Sequence, residues 1–128
     1  MDLSVGMTGE KNEVVTDDRT AIKYGSGSVS VYATPAMVGL MEAAAIRAID
    51  PHLPEGMSTV GTGLQIRHIA ATPVGLAVRA IAELTEIDGK RLVFSVKAFD
   101  EKEEIGSGTH ERYVINIRKF LEKAAAKK

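Results

Sequence analysis

The sequence predicts an α+β fold in which a curved antiparallel sheet of about five strands wraps one long central helix. Residues 34–50, TPAMVGLMEAAAIRAID, are apolar in nearly every direction of a helix, which is typical of a buried helix. The later segments alternate apolar and polar residues with the period of a β-strand, and Asp88-Gly89 is a strong hairpin signal. An antiparallel sheet joined by hairpins normally packs one face against the core and exposes the other to solvent. We therefore expect the core face to curl around the helix.

The helix has clear stop signals at both ends. Thr34 can act as the N-cap through its hydroxyl, and Pro35 suits the first helical position because it lacks a donor that a helix start cannot use. Pro51 disfavours helical geometry in the residue before it, so the helix should end near Asp50.

The remaining elements follow in order along the chain. A first strand should extend to about Thr16, and the Gly/Ser-rich stretch that follows predicts a mobile loop over residues 17–28. Gly61 and Gly63 interrupt the strand after the helix, which suggests a bulge or a close approach to the backbone. The last ten residues suggest a frayed helical or disordered tail. The predicted strands after the helix cover residues 57–69, 76–85, 91–99 and 105–117.

Composition limits the function classes. The 128 residues fit a single domain, 1–128, with neither internal repeat nor linker. The formal net charge of −1 argues against nucleic-acid binding, and the first residues contain neither a signal peptide nor a membrane span. There is no cysteine, which excludes thiolate chemistry and suits a cytoplasmic location. The three histidines lie in separate segments, so we expect no metal site, and no dinucleotide or phosphate motif indicates a cofactor.

The apolar helix also predicts the oligomeric state. A single sheet covers the helix from one side only, and the opposite side is apolar too. A second copy of the chain is the simplest cover, so we expect a homodimer whose sheets meet edge to edge, with a dimer of dimers as the larger alternative.

Glu42 is the first candidate for chemistry. It lies in the middle of the apolar helix, where a carboxylate is costly unless it is paired, hydrated or kept for a purpose. It could pair with a buried arginine or reach the surface. Alternatively, it could act as a general base or nucleophile.

His68 is the second candidate. It lies at the end of a strand, just before a turn, where a histidine is commonly a surface or hydrogen-bonded structural residue. If the sheet wraps the helix, however, its ring can share a site with the helix and serve as a base or as a donor to an oxyanion. We expect His110 to face solvent or a neighbouring strand, and His52 to be incidental.

Thr34 and Gly61 have structural and functional interpretations. Thr34 is explained as an N-cap, and Gly61 as part of a strand bulge. A glycine can also leave a backbone N–H open to hold a carbonyl oxygen. Thr34 and Glu42 are separated by about 12 Å along the helix axis at ~1.5 Å per residue. If both serve one reaction, a long substrate spans them or they come from different subunits.

At this point the chain resembles the hotdog-fold thioesterases, and within them the fluoroacetyl-CoA thioesterase-like family. The resemblance implies a long helix wrapped by an antiparallel sheet in a dimer, and hydrolysis of an acyl-CoA thioester at the dimer interface. The segments that carry it are ATPAMVGLMEAAA at 33–45, PHLPEGMSTVGTGLQIRHIAATPVG at 51–75, DGKRLVFSVKAFD at 88–100 and EEIGSGTHERYVI at 103–115.

The resemblance also implies roles for four residues. The family's hydroxyl residue at the helix start falls on Thr34, its helix glutamate on Glu42 and its histidine on His68, while the amide near the thioester carbonyl falls on Gly61. The fluoroacetyl-specific enzyme is expected to have an aromatic lid upstream of the hydroxyl residue. Here that region is GSGSVSVYA, with Tyr32 as the nearby aromatic residue, so we predict a general acyl-CoA hydrolase for a small acyl group.

Two alternative functions stay open from the sequence. The same fold could form a non-catalytic module that binds or senses acyl-CoA, or an enoyl-CoA hydratase. The hydratase is the less favoured because no second acid lies near His68 in the sequence. The sequence names neither the acyl group nor the residues that bind the CoA phosphates.

Overall fold

A computed structural model describes residues 1–128. One sheet of five antiparallel strands, in the order β1-β3-β4-β5-β2, packs against a long helix. None of the helices is long and apolar enough to cross a membrane. The strands are β1 (Thr8–Val14), β2 (Met57–His68), β3 (Ala77–Asp88), β4 (Arg91–Phe99) and β5 (Glu104–Asn116), and the helices are α1 (Ala21–Tyr24), α2 (Thr34–Ile49) and α3 (Ile117–Ala125), with 3₁₀ turns at Asp17–Arg19 and Asp50–His52.

The central helix α2 begins and ends close to the predicted residues, but its start differs in one respect. Ala33 is the N-cap, no side chain caps the helix, and Thr34 is already its first residue. The hydroxyl of Thr34 is therefore free for another partner. Nor is the helix buried all round: Val38 and Ile46 are half-buried and Gly39 is exposed, because the sheet covers only one side.

The sheet confirms the predicted inward faces of β3 and β4. Its strand order differs from a simple meander, because β2 pairs with β5 at the far edge while β1 and β4 flank β3. The predicted irregularity in β2 is present as a register shift between Gly61 and Gly63. The inward residues that alternate along the two strands, Val78, Ala80, Ala82 and Leu84 on β3 and Leu92, Phe94, Val96 and Ala98 on β4, are almost completely buried.

Two segments, one before α2 and one at the C-terminus, are more ordered than the sequence suggested. The stretch over residues 17–28 contains a 3₁₀ turn and the short helix α1, which Gly25 ends in the left-handed conformation at φ 73°. The C-terminal tail forms α3, where the Asn116 side chain caps the helix by accepting a 3.0 Å hydrogen bond from the backbone N–H of Lys119. Side-chain capping gives this exposed helix a defined start.

Strand β1 crosses the C-terminal half of α2 with almost no space between the two backbones. A Cβ placed on Gly9 would lie 2.3 Å from the carbonyl oxygen of Ala44 and 2.4 Å from the backbone nitrogen of Ala48. Neither atom can move without shifting the helix. A glycine is therefore required where this strand meets the helix.

We expect Gly9→Ala to lower the free energy of unfolding by about 3 kcal/mol, because any side chain there overpacks two backbones. Urea denaturation followed by circular dichroism measures the change. Asn12 is exposed on the same strand. Asn12→Ala is therefore the control, and it should change the free energy of unfolding little. Equal stabilities for the two variants would contradict this close packing.

Candidate active site

The hydroxyl of Thr34 and the ring of His68 form one part of the site. Thr34 Oγ1 lies 2.7 Å from Nδ1 of His68, so the first turn of α2 is hydrogen-bonded to the last residue of β2. The other ring nitrogen of His68, Nε2, is buried and has no hydrogen-bond partner. Because buried polar atoms are normally paired, this unpaired nitrogen beside a hydroxyl makes the pair a candidate for ligand binding.

The environment of His68 favours its neutral form. Burial is the largest cause and lowers the pKa of His68 below its usual value, while the backbone of Ala70 partly opposes the shift. A neutral imidazole can accept a proton at one nitrogen and donate at the other, which suits proton transfer.

A cavity of about 340 Å³ adjoins this pair. It is mostly apolar, and its volume lies in the range typical of small-molecule pockets. Its lining comes from the α1 region, the segment before α2 and the end of β2: Ala21, Ser26, Gly27, Val29, Val31, Tyr32, Thr34, His68, Ile69, Ala70 and Ala71.

Tyr32, the aromatic residue of this segment, does not form a lid over the cavity. It is 1% exposed, and its hydroxyl donates a 2.6 Å hydrogen bond to the carboxylate of Glu13. Burial and this carboxylate raise the pKa of Tyr32, so the hydroxyl stays protonated. The small residues Ser26 and Gly27 therefore contribute to the cavity wall without an aromatic cover.

Glu42 lies in a second cluster, further along α2. Its side chain is 36% exposed, and its Oε2 atom accepts a 3.4 Å hydrogen bond from Nη1 of Arg112. A Cβ on Gly61 would lie 2.8 Å from the same oxygen. The bulge in β2 thus brings bare backbone against the carboxylate, which explains why the strand has a glycine at this point.

Arg112 and His110 belong to the cluster around Glu42, and neither was a candidate from the sequence. Both lie on the inner face of β5, with exposures of 4% for Arg112 and 1% for His110. Of the two settings expected for His110, solvent is wrong and a neighbouring strand is confirmed, because its Nδ1 lies 2.9 Å from the carbonyl oxygen of Gly63 on β2. The imidazole Nε2 lies 3.9 Å from Glu42 Oε2. Residues 110, 112 and 114 share one face of β5, but the apolar residues Tyr113 and Ile115 lie on the other, so the alternation alone favours the wrong face as the inner one.

The structure brings the four predicted site residues together as two pairs. Thr34 contacts His68, and Glu42 lies against Gly61, but no hydrogen bond or ion pair within the chain joins one pair to the other. Glu42 also has the buried arginine partner that its structural interpretation required. No group of three or more histidine, aspartate or glutamate side chains is arranged to hold a metal ion.

The chain is similar to known proteins in both sequence and structure. Residues 15–118 match the family described as fluoroacetyl-CoA-specific thioesterase. A fluoroacetyl-CoA thioesterase of Streptantibioticus cattleyicolor is 50% identical over 97 residues, which cover 76% of this chain and 70% of that protein. A solved structure of the fluoroacetyl-CoA thioesterase superposes with a TM-score of 0.93 at 41% identity, covering 100% of this chain and 99% of that one.

A thioesterase superfamily member from Thermus thermophilus superposes with a TM-score of 0.88 at 28% identity and covers 100% of both chains. The curled sheet around one helix and these relatives define the class as the hotdog-fold thioesterases. Within that class, the chain belongs to the fluoroacetyl-CoA-specific thioesterase family. The family resemblance and the fold that it implied are confirmed.

Proposed function

We propose that this protein hydrolyses a small acyl-CoA thioester to the free acid and CoA, at a site shared by two protomers of a homodimer. The observation that carries the proposal is the 2.7 Å contact of Thr34 Oγ1 with His68 Nδ1 beside an apolar cavity. Membership of a thioesterase family supports the reaction class. Its members are hydrolases, and the chain is an enzyme of this kind.

The dimer is supported by the free edge of β2. This strand has twelve residues and lies at the end of the sheet, so its outer backbone groups have no partner strand. A long unpaired edge normally recruits another strand. Leu64, in the middle of β2, is 47% exposed although it is apolar. Pairing of two β2 strands would cover this edge. Two such dimers could then associate into a dimer of dimers.

The same pairing explains the two separated halves of the site. Gly61 and His68 lie on one strand about 23 Å apart at about 3.3 Å per residue, which is too far for one reacting carbonyl. When two antiparallel β2 strands pair about a two-fold axis near Leu64 and Gln65, Gly61 of one protomer comes opposite His68 of the other. We therefore assign Thr34 and His68 from one chain, and Glu42 and Gly61 from its partner, to each site.

The chemistry can be assigned to these groups. The backbone amide of Gly61 and the hydroxyl of Thr34 would hold the thioester carbonyl oxygen as it becomes negative. Glu42 acts either as a base that takes a proton from the attacking water or as a nucleophile that forms an anhydride which water then opens. In both routes the C–S bond breaks, and His68 assists proton transfer to the leaving thiolate.

The cavity beside Thr34 supports a general preference for small acyl groups. Apolar side chains such as Val29 and Ile69 can contact the acyl chain, and no aromatic lid narrows the space. The relative named fluoroacetyl-CoA thioesterase need not share its selectivity with this chain. The chain would function as one domain, in the cytoplasm, and its lack of cysteine suits that compartment.

A panel of acyl-CoA esters tests the function. We expect CoA release, detected with a thiol reagent, from acetyl-, propionyl- and butyryl-CoA as well as from fluoroacetyl-CoA. If acyl-CoA raises the melting temperature but no free CoA appears at high protein concentration, the protein is a binding module instead. Loss of crotonyl-CoA absorbance without CoA release would identify a hydratase.

A further inference from the structure

His110 is buried beside the predicted catalytic carboxylate, yet the chemistry assigned above leaves it without a role. Its side chain is 0% exposed. The ring lies against Phe94, with a centroid distance of 6.3 Å, and against the bulge, because a Cβ on Gly61 would be 3.2 Å from its Cε1 atom. A polar ring in such a place must satisfy both nitrogens.

The hydrogen bonds of His110 fix its protonation and its tautomer. Nδ1 lies 2.9 Å from the carbonyl oxygen of Gly63, which can only accept, so Nδ1 carries the proton. Nε2 lies 3.0 Å from Nη1 of Arg112, which can only donate, so Nε2 is unprotonated. Burial, the largest cause, lowers the pKa of His110 and favours this neutral ring.

The neutral ring completes the set of bonds that locks the guanidinium of Arg112. Arg112 Nε donates to Thr59 Oγ1 at 2.8 Å, and Nη2 donates to the Thr59 carbonyl oxygen at 3.0 Å. Nη1 is shared between His110 and Glu42. The guanidinium therefore has one orientation, which presents Nη1 to a single carboxylate oxygen. Oε1 of Glu42 has no partner in the chain and is free for water or substrate.

His110 also ties this guanidinium to the strand bulge. The Gly63 carbonyl that accepts from Nδ1 lies at the register shift that begins at Gly61. A single imidazole thus bonds the bulge on one side and, through Arg112, the carboxylate on the other. Movement of the ring would change the spacing between the Gly61 amide and Glu42.

We propose that His110 is a positioning residue for thioester hydrolysis, which as a neutral Nδ1–H imidazole sets the orientation of Glu42 relative to Gly61. The inference rests on the proposed function. The charged groups that face the ring are Glu42 from α2 and Arg112 from β5. Protonation would place an N–H against the donors of Arg112 and break the bond.

Three substitutions and one control test the inference. His110→Phe keeps the ring shape and removes both bonds, so we expect kcat to fall about tenfold or more, with KM within a factor of about two. His110→Gln, which keeps an acceptor for Arg112, should recover part of kcat, and His110→Asn, which keeps only a donor for Gly63, should recover less. Val78→Ala, a core truncation on β3 two strands from β5, should lower the melting temperature without lowering kcat.

The outcomes separate a positioning role from a structural one. A wild-type kcat in His110→Phe, or a kcat loss no larger than that of Val78→Ala at a similar loss of stability, overturns the inference. If His110→Phe does not fold, equal kcat values for the Gln and Asn variants overturn it. If the wild-type protein releases no CoA from any acyl-CoA ester, the proposed function itself is refuted.

Discussion

Glu42→Gln is expected to lower the rate of CoA release by about 10²–10⁴-fold, the range typical of a lost general base. The amide nearly preserves the size of the side chain, and it can still accept a hydrogen bond from Arg112. It cannot take a proton from water or attack a carbonyl. The fold and the proposed dimer should therefore persist while catalysis is lost. Steady-state assays with a thiol reagent, alongside size-exclusion chromatography, measure both properties.

The matched control for this prediction is Glu55→Gln. Glu55 is exposed in the loop before β2 and makes no side-chain hydrogen bond or ion pair, so its amide variant should keep wild-type turnover. Wild-type CoA release by Glu42→Gln would show that the carboxylate is only a structural partner of Arg112. That interpretation was open from the sequence.

The second large effect is expected at the Thr34–His68 pair. His68→Ala removes the proton-transferring ring and should lower kcat by about 10²–10⁴-fold. Thr34→Ala leaves Nδ1 of His68 without its partner and should lower kcat by a smaller factor than His68→Ala does. Because the two side chains act as a unit, the kcat of the double variant should be only slightly lower than that of His68→Ala alone. Kinetics of the four proteins in a double-mutant cycle measure this coupling.

His52→Ala is the control for the histidine. His52 lies exposed in the 3₁₀ turn after α2, and removal of its side chain should leave kcat unchanged. Strictly additive losses for Thr34→Ala and His68→Ala would contradict a shared function, even if each single loss were large.

The fold was largely predictable because its strongest signals are local. Pro35 and Pro51 bound the helix, Asp88-Gly89 marks one hairpin, and strict alternation identifies the inner faces of β3 and β4. The pairing of β2 with β5 was not predictable from local pattern, since it depends on which strand edges remain free. The structure of residues 17–24 was also missed, because turn-rich composition does not distinguish a loop from short helices.

The site was predictable only where its residues break a pattern. Glu42 stands out because it is an acid in an apolar helix, and Gly61 because it interrupts a strand. His110 and Arg112 do not stand out, since polar residues on a strand normally mark its wet face. Their burial follows from the carboxylate that Arg112 bonds, which lies 70 residues away in sequence. Only tertiary structure shows that contact.

The central claim is that each site takes Thr34 and His68 from one protomer and Glu42 from the other, and subunit complementation tests it most directly. Glu42→Gln and His68→Ala homodimers are each expected to be inactive. When the two are mixed under conditions that exchange subunits, half of the dimers should be mixed, and each mixed dimer has one intact site and one doubly defective site. We predict recovery of about one quarter of wild-type CoA release. No recovery, despite proven subunit exchange, would contradict the shared site.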